Sequence, residues 1–397
     1  MISYGRQNIN QADIDAVVAV LRSDFLTQGP AIEAFETRVA EYCGAQYAVA
    51  VTNATSALHI ACLAAGLGHG DVLWTSPNTF VASANCARYC GAEVDFVDID
   101  NDTYNMSVNE LEAKLKSTEI KPKIVIPVHF SGQACDMARI AELAKQYGFI
   151  VIEDASHCIG GDYQATKIGS CKYSAMTVFS FHPVKIITTA EGGMVLTNNK
   201  ALYDQLVLYR SHGVTRSSAL MHNPVAGPWY YEQVALGFNY RMTDLQAALG
   251  LSQMDRLDAF VAKRRRLAAR YNELLQTSPL KLPTQSVEAN SSWHLYVVRY
   301  NFAYGKLTKK ELFRKMKAKG INLNLHYIPV HRQPYYEQLG FEKGDFPVSE
   351  HYYDEAFTLP LYYALTEQEQ DYIVKSLCEV LNDEAHSNLL NKKERFR

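Results

Sequence analysis

A single lysine, Lys185, lies in an apolar stretch of the sequence, preceded by Val184 and followed by Ile186 and Ile187. An ammonium group among apolar neighbours loses hydration, so we expect the pKa of Lys185 to fall. A lysine amine that is deprotonated near neutral pH can form a Schiff base with an aldehyde. On this stretch alone, the alternative is a lysine in a surface loop.

Two features of the sequence suit a phosphate group. The segment Asn53-Ala-Thr-Ser56 forms a predicted strand-to-helix turn, and the free N–H groups at a helix N-terminus attract anions. Ser180 lies on the predicted strand that leads to Lys185, and it offers a further hydroxyl. Ordinary helix capping is the alternative for the first segment.

Two other features suit a flat heteroaromatic ring. Phe80 follows a predicted strand and could stack on a ring, although a phenylalanine there is more often part of a core. Asp154 and His157 follow the apolar strand Phe149-Ile-Val-Ile152. Asp154 could hold a ring nitrogen protonated and His157 could hydrogen-bond a ring substituent, although Asp154 alone could be a helix cap.

Together, these residues describe a ligand with a phosphate, a flat ring, a ring nitrogen that needs an anion, and an aldehyde that needs a lysine. That ligand is pyridoxal 5'-phosphate (PLP). Asp154 would keep its pyridinium charged, which makes the ring an electron sink for a carbanion at the substrate's Cα. The combination is far more specific than any single residue, and it predicts a PLP-dependent enzyme.

The sequence resembles the DegT-type nucleotide-sugar aminotransferases, which have the aspartate-aminotransferase fold, fold type I. The resemblance covers nearly the whole chain and is carried by five motifs: Asn53-Ala-Thr-Ser-Ala-Leu58, Glu153-Asp-Ala-Ser-His157, Phe179-Ser-Phe-His-Pro-Val-Lys185, Thr188-Thr-Ala-Glu-Gly-Gly193 and Gly237-Phe-Asn-Tyr-Arg-Met242. Within the family, the sequence is similar to the UDP-sugar C4 aminotransferases of pseudaminic acid biosynthesis. That similarity is carried by the lysine loop and by Leu26-Thr-Gln-Gly29, Arg210-Ser-His-Gly213, Ala248-Leu-Gly-Leu-Ser-Gln253 and His326-Tyr-Ile-Pro329.

The resemblance implies that Lys185 is the catalytic residue and forms the Schiff base with PLP. It implies cofactor contacts from Thr55, Ser56, Phe80, Asp154, His157, Ser180, Lys185 and Asn239. Asn239 would reach the phosphate of the neighbouring subunit, so the resemblance implies a homodimer with shared active sites. For the nucleotide sugar, it implies contacts from Tyr4, Asp24, Phe25, Leu26, Thr27, Ala54, Ser180, Asn239, His326, Tyr327, Ile328 and Pro329.

Short apolar strands that alternate with helices predict an α/β fold with a mostly parallel sheet covered on both faces. Seven strands are predicted, at Tyr47–Val51, Val72–Thr75, Val94–Val97, Lys123–Val128, Phe149–Glu153, Ala175–Phe181 and Met194–Thr197. We expect a large PLP-binding domain at 10–250 and a small α+β domain at 251–397, with residues 1–9 packing near the active site. Ligands of such sheets bind beyond the carboxyl ends of the strands.

In the second half of the chain, Thr243–Leu275 is predicted to be one long helical stretch. Strands are predicted at Trp293–Tyr300 and Ile321–Leu325, and capping boxes at Thr308 and Thr366 predict helix starts. The tail after Asn382 is polar, and we expect it to be disordered.

The 397 residues carry a net charge of −3 with both signs mixed, so the charge offers no argument for a nucleic-acid or membrane partner. The eight cysteines lack metal-ligand spacing, so no metal site is predicted. Free thiols, the absence of an apolar signal-peptide segment after Met1 and the lack of a membrane-length apolar run predict a cytoplasmic protein.

The predicted reaction is transfer of an amino group from L-glutamate to C4 of a UDP-linked 4-keto-6-deoxy-N-acetylhexosamine, with Lys185 as the base and acid that moves the proton. The alternative within the family is a C4 or C3 aminotransferase for a different keto nucleotide sugar. A non-catalytic sensor or scaffold with the same fold is another class, which the intact Lys185, Asp154 and His157 argue against. A nicotinamide oxidoreductase is disfavoured because no G-x-G-x-x-G follows the first strand.

Overall fold

The structure is a computed structural model, and it describes residues 1–222, 227–303 and 307–381. Its strands, numbered in chain order, are β1 Tyr47–Val51, β2 Val72–Thr75, β3 Glu93–Phe96, β4 Ile124–Ile126, β5 Ile150–Asp154, β6 Asp162–Tyr163, β7 Thr166–Lys167, β8 Met176–Ser180, β9 Gly193–Thr197, β10 Val214–Thr215, β11 Glu232–Gln233, β12 Ala289–Asn290, β13 Tyr296–Arg299 and β14 Ala356–Leu359. Its α-helices are α1 Gln11–Leu21, α2 Pro30–Cys43, α3 Ala54–Ala64, α4 Ala82–Tyr89, α5 Val108–Ser117, α6 Met137–Tyr147, α7 Lys200–Arg210, α8 Asp244–Met254, α9 Leu257–Leu275, α10 Lys309–Ala318, α11 Pro334–Glu337, α12 Pro347–Glu355 and α13 Glu367–Val380. Two short 3₁₀ helices span Phe130–Gly132 and Val330–Arg332.

Seven strands form the central sheet, in the order β1-β9-β8-β5-β4-β2-β3. Strand β9 runs antiparallel to both of its neighbours, and the pairs from β8 across to β3 are parallel. Each of the seven predicted strands overlaps one of these observed strands. The predicted α/β fold with a mostly parallel seven-stranded sheet is therefore confirmed.

Both faces of the sheet are covered by apolar side chains. Adjacent residues of β8 show this directly, because Val178 packs in one buried cluster with Leu58 while Phe179 packs in another with Phe35. A strand points successive side chains to opposite faces, so a strand that is buried on both sides is largely apolar. The polar residues Asp154 and Ser180 come at the carboxyl ends of β5 and β8, where this constraint ends.

A third apolar cluster is formed by residues between 267 and 381, around the antiparallel pair of β13 and β14. Helices α10 and α13 begin at the predicted capping boxes, with Thr308 and Thr366 as N-caps. The first turns of α9 belong instead to the sheet's own cluster through Leu257 and Phe260. The division of the chain at 250/251 stays a prediction.

The long helix predicted at Thr243–Leu275 is wrong, because the structure has two helices there, α8 and α9. Arg256 lies between them with non-helical backbone angles, φ −112° and ψ 1°. Its guanidinium donates to the carboxylate of Asp13 at 2.5 Å and to Asn8 Oδ1 at 2.8 Å. Contacts with the N-terminal segment therefore accompany a break that helical periodicity does not show.

Two predicted strands also differ from the observed elements. The strand predicted at Trp293–Tyr300 is confined to Tyr296–Arg299, because Trp293 has a positive φ of 52°, which extended strand does not allow. The strand predicted at Ile321–Leu325 is wrong, since this segment makes single bridges, Ile321 with Ile2 and Asn324 with Thr358. The predicted disordered tail lies outside the described residues. None of the described helices combines the length and apolarity that crossing a membrane requires.

Candidate active site

A cavity of about 520 Å³ opens at the carboxyl ends of β5 and β8. Its walls come from both halves of the chain and are formed by Tyr4, Asn53, Ala54, Thr55, Leu58, Thr79, Phe80, Ala82, Val128, Asp154, Ser156, His157, Ser180, His182, Val184, Lys185, Glu191, His294, Asn324, Leu325, His326 and Tyr327. Its size lies within the range of pockets that hold small molecules, roughly 300–1,000 Å³. Its position matches the rule for ligands of open α/β sheets.

Lys185 lies in a loop between β8 and β9, and hydrogen bonds join the two ends of this loop. The carbonyl of Phe181 accepts hydrogen bonds from Thr188 Oγ1 and from the backbone N–H of Thr189, at 2.9 and 3.0 Å. Ile186 and Ile187 anchor the loop in the core. Burial lowers the pKa of Lys185 from 10.5 to about 8, although the nearby charge of Asp154 favours the protonated form. The expected shift of the lysine is thus supported, and Lys185 and Asp154 face the same cavity.

Asp154 is the last residue of β5, and its carboxylate is held by two donors. Ser83 Oγ donates to Oδ2 at 2.6 Å, and the backbone N–H of Ser156 donates to Oδ1 at 3.1 Å. Strand pairing with Val178 of β8 fixes the backbone at this position. The side chain is buried, so an anion is presented to the cavity from a fixed position.

The end of the cavity suited to a phosphate is the N-terminus of α3. Asn53 caps this helix by accepting from the backbone N–H of Ser56 at 2.9 Å, while Ala54 and Thr55 line the cavity. A Cβ on Gly193 would lie 2.5 Å from the backbone of Asn53, so only glycine lets β9 approach the helix start this closely. Ser180 pairs with Gly193 across the sheet and brings its hydroxyl to the same region.

His157 is buried, and both of its ring nitrogens have partners. The backbone N–H of Ser131 donates to Nδ1 at 3.2 Å, and the phenol oxygen of Tyr327 lies 3.1 Å from Nε2. Burial and the charge of Lys185 hold the pKa of His157 well below its usual value. The neutral ring therefore carries its proton on Nε2 and donates it to Tyr327.

Two more histidines, His294 and His326, line the same cavity. The ring centroids of His157 and His294 are 4.4 Å apart, and Nδ1 of His294 is buried without a hydrogen-bond partner. Burial lowers the pKa of His326 to about 3 and that of His294 well below its usual value. With the pKa of both rings lowered, they bring no positive charge to the cavity at physiological pH.

The N-terminal segment reaches the cavity through Tyr4. Its carbonyl accepts from the backbone N–H of Leu361 at 3.0 Å, and its ring lies 5.3 Å from that of His326. A single bridge between Ile2 and Ile321 attaches the preceding residues. This places Tyr4, which precedes α1, on the cavity wall, and the packing of residues 1–9 near the active site stays a prediction.

The structure therefore gathers most of the predicted site residues around one cavity and leaves others away from its wall. Ser56 is buried, and its hydroxyl lies 3.1 Å from Thr52 Oγ1. Among the described residues, the predicted contacts that do not line the cavity of a single chain are Ser56, Asp24, Phe25, Leu26, Thr27, Asn239, Ile328 and Pro329. Their roles stay predictions. Asn239 and the segment 24–27 are exposed, which leaves them accessible to a second chain.

Sequence reasoning missed several side chains in and behind this cavity. Ser83, which donates to Asp154 from α4, had only one signal in the sequence, a hydroxyl three residues after Phe80. His294 and Glu191 line the cavity itself. His294 comes from the segment before β13, and no local pattern relates it to β5.

The residues present fit PLP. The helix start at Ala54 and Thr55 offers backbone N–H groups for a phosphate, and Gly193 lets β9 pack directly against this helix start. Asp154 offers a carboxylate for a ring nitrogen, His157 a neutral imidazole beside Tyr327, and Lys185 an amine of lowered pKa. Phe80, an exposed aromatic ring on the cavity wall, can cover a planar ligand.

Residues 7–378 match the DegT/DnrJ/EryC1/StrS aminotransferase family. The chain belongs to this family. It is a PLP-dependent aminotransferase of a family that acts on sugars, and PLP is its cofactor.

Individual relatives cover nearly the whole chain. It is 36% identical to the spore coat polysaccharide biosynthesis protein SpsC of Bacillus subtilis over 96% of the chain and 97% of that protein. It is 35% identical to the UDP-4-amino-4,6-dideoxy-N-acetyl-beta-L-altrosamine transaminase of Campylobacter jejuni over 96% of the chain and 98% of that protein. Among solved structures, the PLP form of Spr1654 from Streptococcus pneumoniae has a TM-score of 0.87 and 28% identity, covering 96% of this chain and 98% of that one.

Proposed function

We propose that this DegT-family enzyme transfers an amino group from L-glutamate to C4 of a UDP-linked 4-keto-6-deoxy-N-acetylhexosamine. The product is a UDP-4-amino sugar of the kind used for pseudaminic acid. The observation that carries the aminotransferase chemistry is a half-buried amine, Lys185, of lowered pKa that shares one cavity with the fixed carboxylate of Asp154. The similarity to the Campylobacter jejuni transaminase supports the choice of sugar.

Each residue of the cavity has a role in this proposal. PLP, when bound, supplies an aldehyde for an amine and a ring that accepts electrons from the substrate carbon. Thr55, Ser180 and the N-terminus of α3 would hold the phosphate, and Asp154 would keep the ring nitrogen protonated. Phe80 would cover the ring, and His157 would lie near the ring's oxygen substituent.

Lys185 would move the proton in both halves of the reaction. As a neutral amine, it takes the proton from Cα of glutamate, and as an ammonium it returns a proton to C4 of the sugar. A pKa of about 8 suits both steps, because the amine and the ammonium are then both populated near neutral pH. The closed loop from Phe181 to Thr189 holds the lysine in position for both transfers.

Recognition of the nucleotide sugar is assigned to the residues at the cavity mouth. In one chain, Tyr4, Ala54, His326 and Tyr327 lie on the wall. Asp24 to Thr27, Ile328 and Pro329 would extend this surface. Asn239 would reach the phosphate of the neighbouring subunit, so we propose a homodimer with shared active sites.

A different keto nucleotide sugar is the second candidate, with transfer to C4 or C3. The similarity to SpsC, a protein of spore coat polysaccharide biosynthesis, favours this second candidate as much as the similarity to the Campylobacter jejuni transaminase favours the first. Both candidates require the same residues at the PLP end of the cavity. They differ only in the sugar that the mouth of the cavity would accept.

A substrate panel separates the candidates. The purified enzyme would be incubated with ¹⁵N-glutamate and a set of UDP- and dTDP-linked 4-keto and 3-keto sugars, with products identified by mass spectrometry and NMR. We expect the label at C4 of the UDP-4-keto-6-deoxy-N-acetylhexosamine. Labelling of another keto sugar at higher kcat/KM would overturn the first candidate, and labelling of none would overturn both.

A further inference from the structure

Three buried side chains form a linear hydrogen-bonded chain behind the cavity. Thr79 Oγ1 lies 2.8 Å from Ser83 Oγ, and Ser83 Oγ lies 2.6 Å from Asp154 Oδ2. The exposed fractions of Thr79, Ser83 and Asp154 are 2%, 0% and 5%, so water has little access to these groups. The three residues come from the loop after β2, the first turn of α4 and the end of β5.

The direction of these hydrogen bonds follows from the number of protons. An ionised carboxylate accepts only, so Ser83 must give its single hydroxyl proton to Asp154. Ser83 then has no proton left for Thr79, and Thr79 must donate to Ser83. Each hydroxyl therefore polarises the next, and the chain ends on the anion that faces the cavity.

We infer that Ser83, supported by Thr79, is a positioning residue that sets how strongly Asp154 stabilises the proton on the cofactor's ring nitrogen. The inference rests on the role proposed for Asp154. A hydrogen bond to the charged form of a carboxylate stabilises that form, so the Ser83 donor keeps the proton on the ring nitrogen rather than on the aspartate. Ser83 also fixes the plane of the carboxylate, together with the N–H of Ser156.

Two other groups also affect the carboxylate of Asp154, and they differ from Ser83 in position. Asp154 interacts electrostatically with Lys185 and with the phenol of Tyr327, both of which face it across the cavity. The hydroxyl of Ser83 donates to the same carboxylate from a buried position that does not line the cavity.

The test uses the ring nitrogen itself as the probe. The holoenzyme and the variants S83A, T79V and D154N would be loaded with PLP labelled with ¹⁵N in the ring, and the chemical shift of that nitrogen measured. We expect S83A to move the signal towards that of neutral pyridine, with T79V moving it less. With S83A we also expect kcat to fall roughly 10-fold while KM for the sugar stays unchanged, as for loss of a hydrogen bond to a charged group.

Ser76→Ala is the matched control, because Ser76 is also buried in the loop after β2 and its hydroxyl has no partner. An unchanged signal in both S83A and T79V, with D154N shifted, would overturn the inference and leave the proposed function standing. An unchanged signal in D154N would overturn the role of Asp154 itself. If S83A does not fold, T79V takes its place, because valine keeps the shape of the threonine side chain. The ¹⁵N signal of T79V then tests the inference.

Discussion

The phenol oxygen of Tyr327 lies 3.1 Å from Nε2 of His157, although the two residues are 170 positions apart in the sequence. This contact joins the end of the sheet to the segment that precedes the last helices. Because His157 donates its proton to Tyr327, the phenol keeps its own proton for a ligand in the cavity. Burial raises the pKa of Tyr327, which keeps that proton in place.

Replacing Tyr327 by phenylalanine should weaken catalysis without unfolding the protein. The Nε2–H of His157 loses its acceptor and the cavity loses a donor, at a cost of about 1 kcal/mol for each neutral hydrogen bond. We expect kcat/KM for the sugar to fall by roughly 5- to 20-fold, measured under saturating glutamate. Tyr89→Phe, on the exposed side of α4, is the control. Equal activity of the two variants would show that the His157 contact has no catalytic role.

Removal of the negative charge of Asp154 should leave PLP bound and slow the reaction. Asp154→Asn keeps the size of the side chain and one acceptor, but it can no longer stabilise a protonated ring nitrogen. We expect kcat to fall by about 100-fold or more, with cofactor content close to one per chain, measured by absorbance after gel filtration. An unchanged kcat would contradict the electron-sink role.

The capture of PLP by the apoenzyme should depend on pH through Lys185. Only the neutral amine attacks an aldehyde, and burial lowers the pKa of Lys185 to about 8. The rate should therefore rise about tenfold per pH unit below this value and level off above it, as stopped-flow absorbance would show. The charge of Asp154 raises the lysine pKa, so Asp154→Asn should move the plateau to lower pH. A rate that still rises near pH 10 would mean an ordinary, solvated lysine.

Gly193 should be intolerant of a side chain. A Cβ there would lie 2.5 Å from the carbonyl carbon and oxygen of Asn53 and would push β9 away from the start of α3. We expect Gly193→Ala to lower the free energy of unfolding by about 1–3 kcal/mol and to weaken PLP binding, measured by thermal melting of apo- and holoenzyme. Gly68→Ala is a matched control, because no atom lies within 4 Å of its added Cβ. Similar melting of both variants would refute the close-approach argument.

The sheet was predictable because most of its strands are short apolar runs, which burial on both faces of a sheet demands, and because helices follow most of them. The residues at the strand ends were predictable for the same reason, since Asp154 and Ser180 interrupt apolar segments. Lys185 stood out as a charge between Val184 and Ile186. These signals are local in sequence, so no knowledge of tertiary contacts was required.

The remaining features depend on contacts between distant segments. The break at Arg256 accompanies hydrogen bonds to Asn8 and Asp13, about 240 positions away. Likewise, Ser83 meets Asp154 across 71 positions, and His294 reaches the cavity from the segment before β13. Helical or alternating periodicity contains no information about such pairs, which only the folded chain brings together.

The central claim is that the amine of Lys185 forms the covalent bond to PLP. Reduction of the holoenzyme with borohydride, followed by proteolysis and peptide mass spectrometry, tests it most directly. We expect a pyridoxyl-phosphate adduct on the peptide that contains Lys185, absent from Lys185→Ala and unchanged in the exposed-lysine control Lys172→Ala. An adduct on another lysine of the wild-type protein, or none, would refute the role of Lys185.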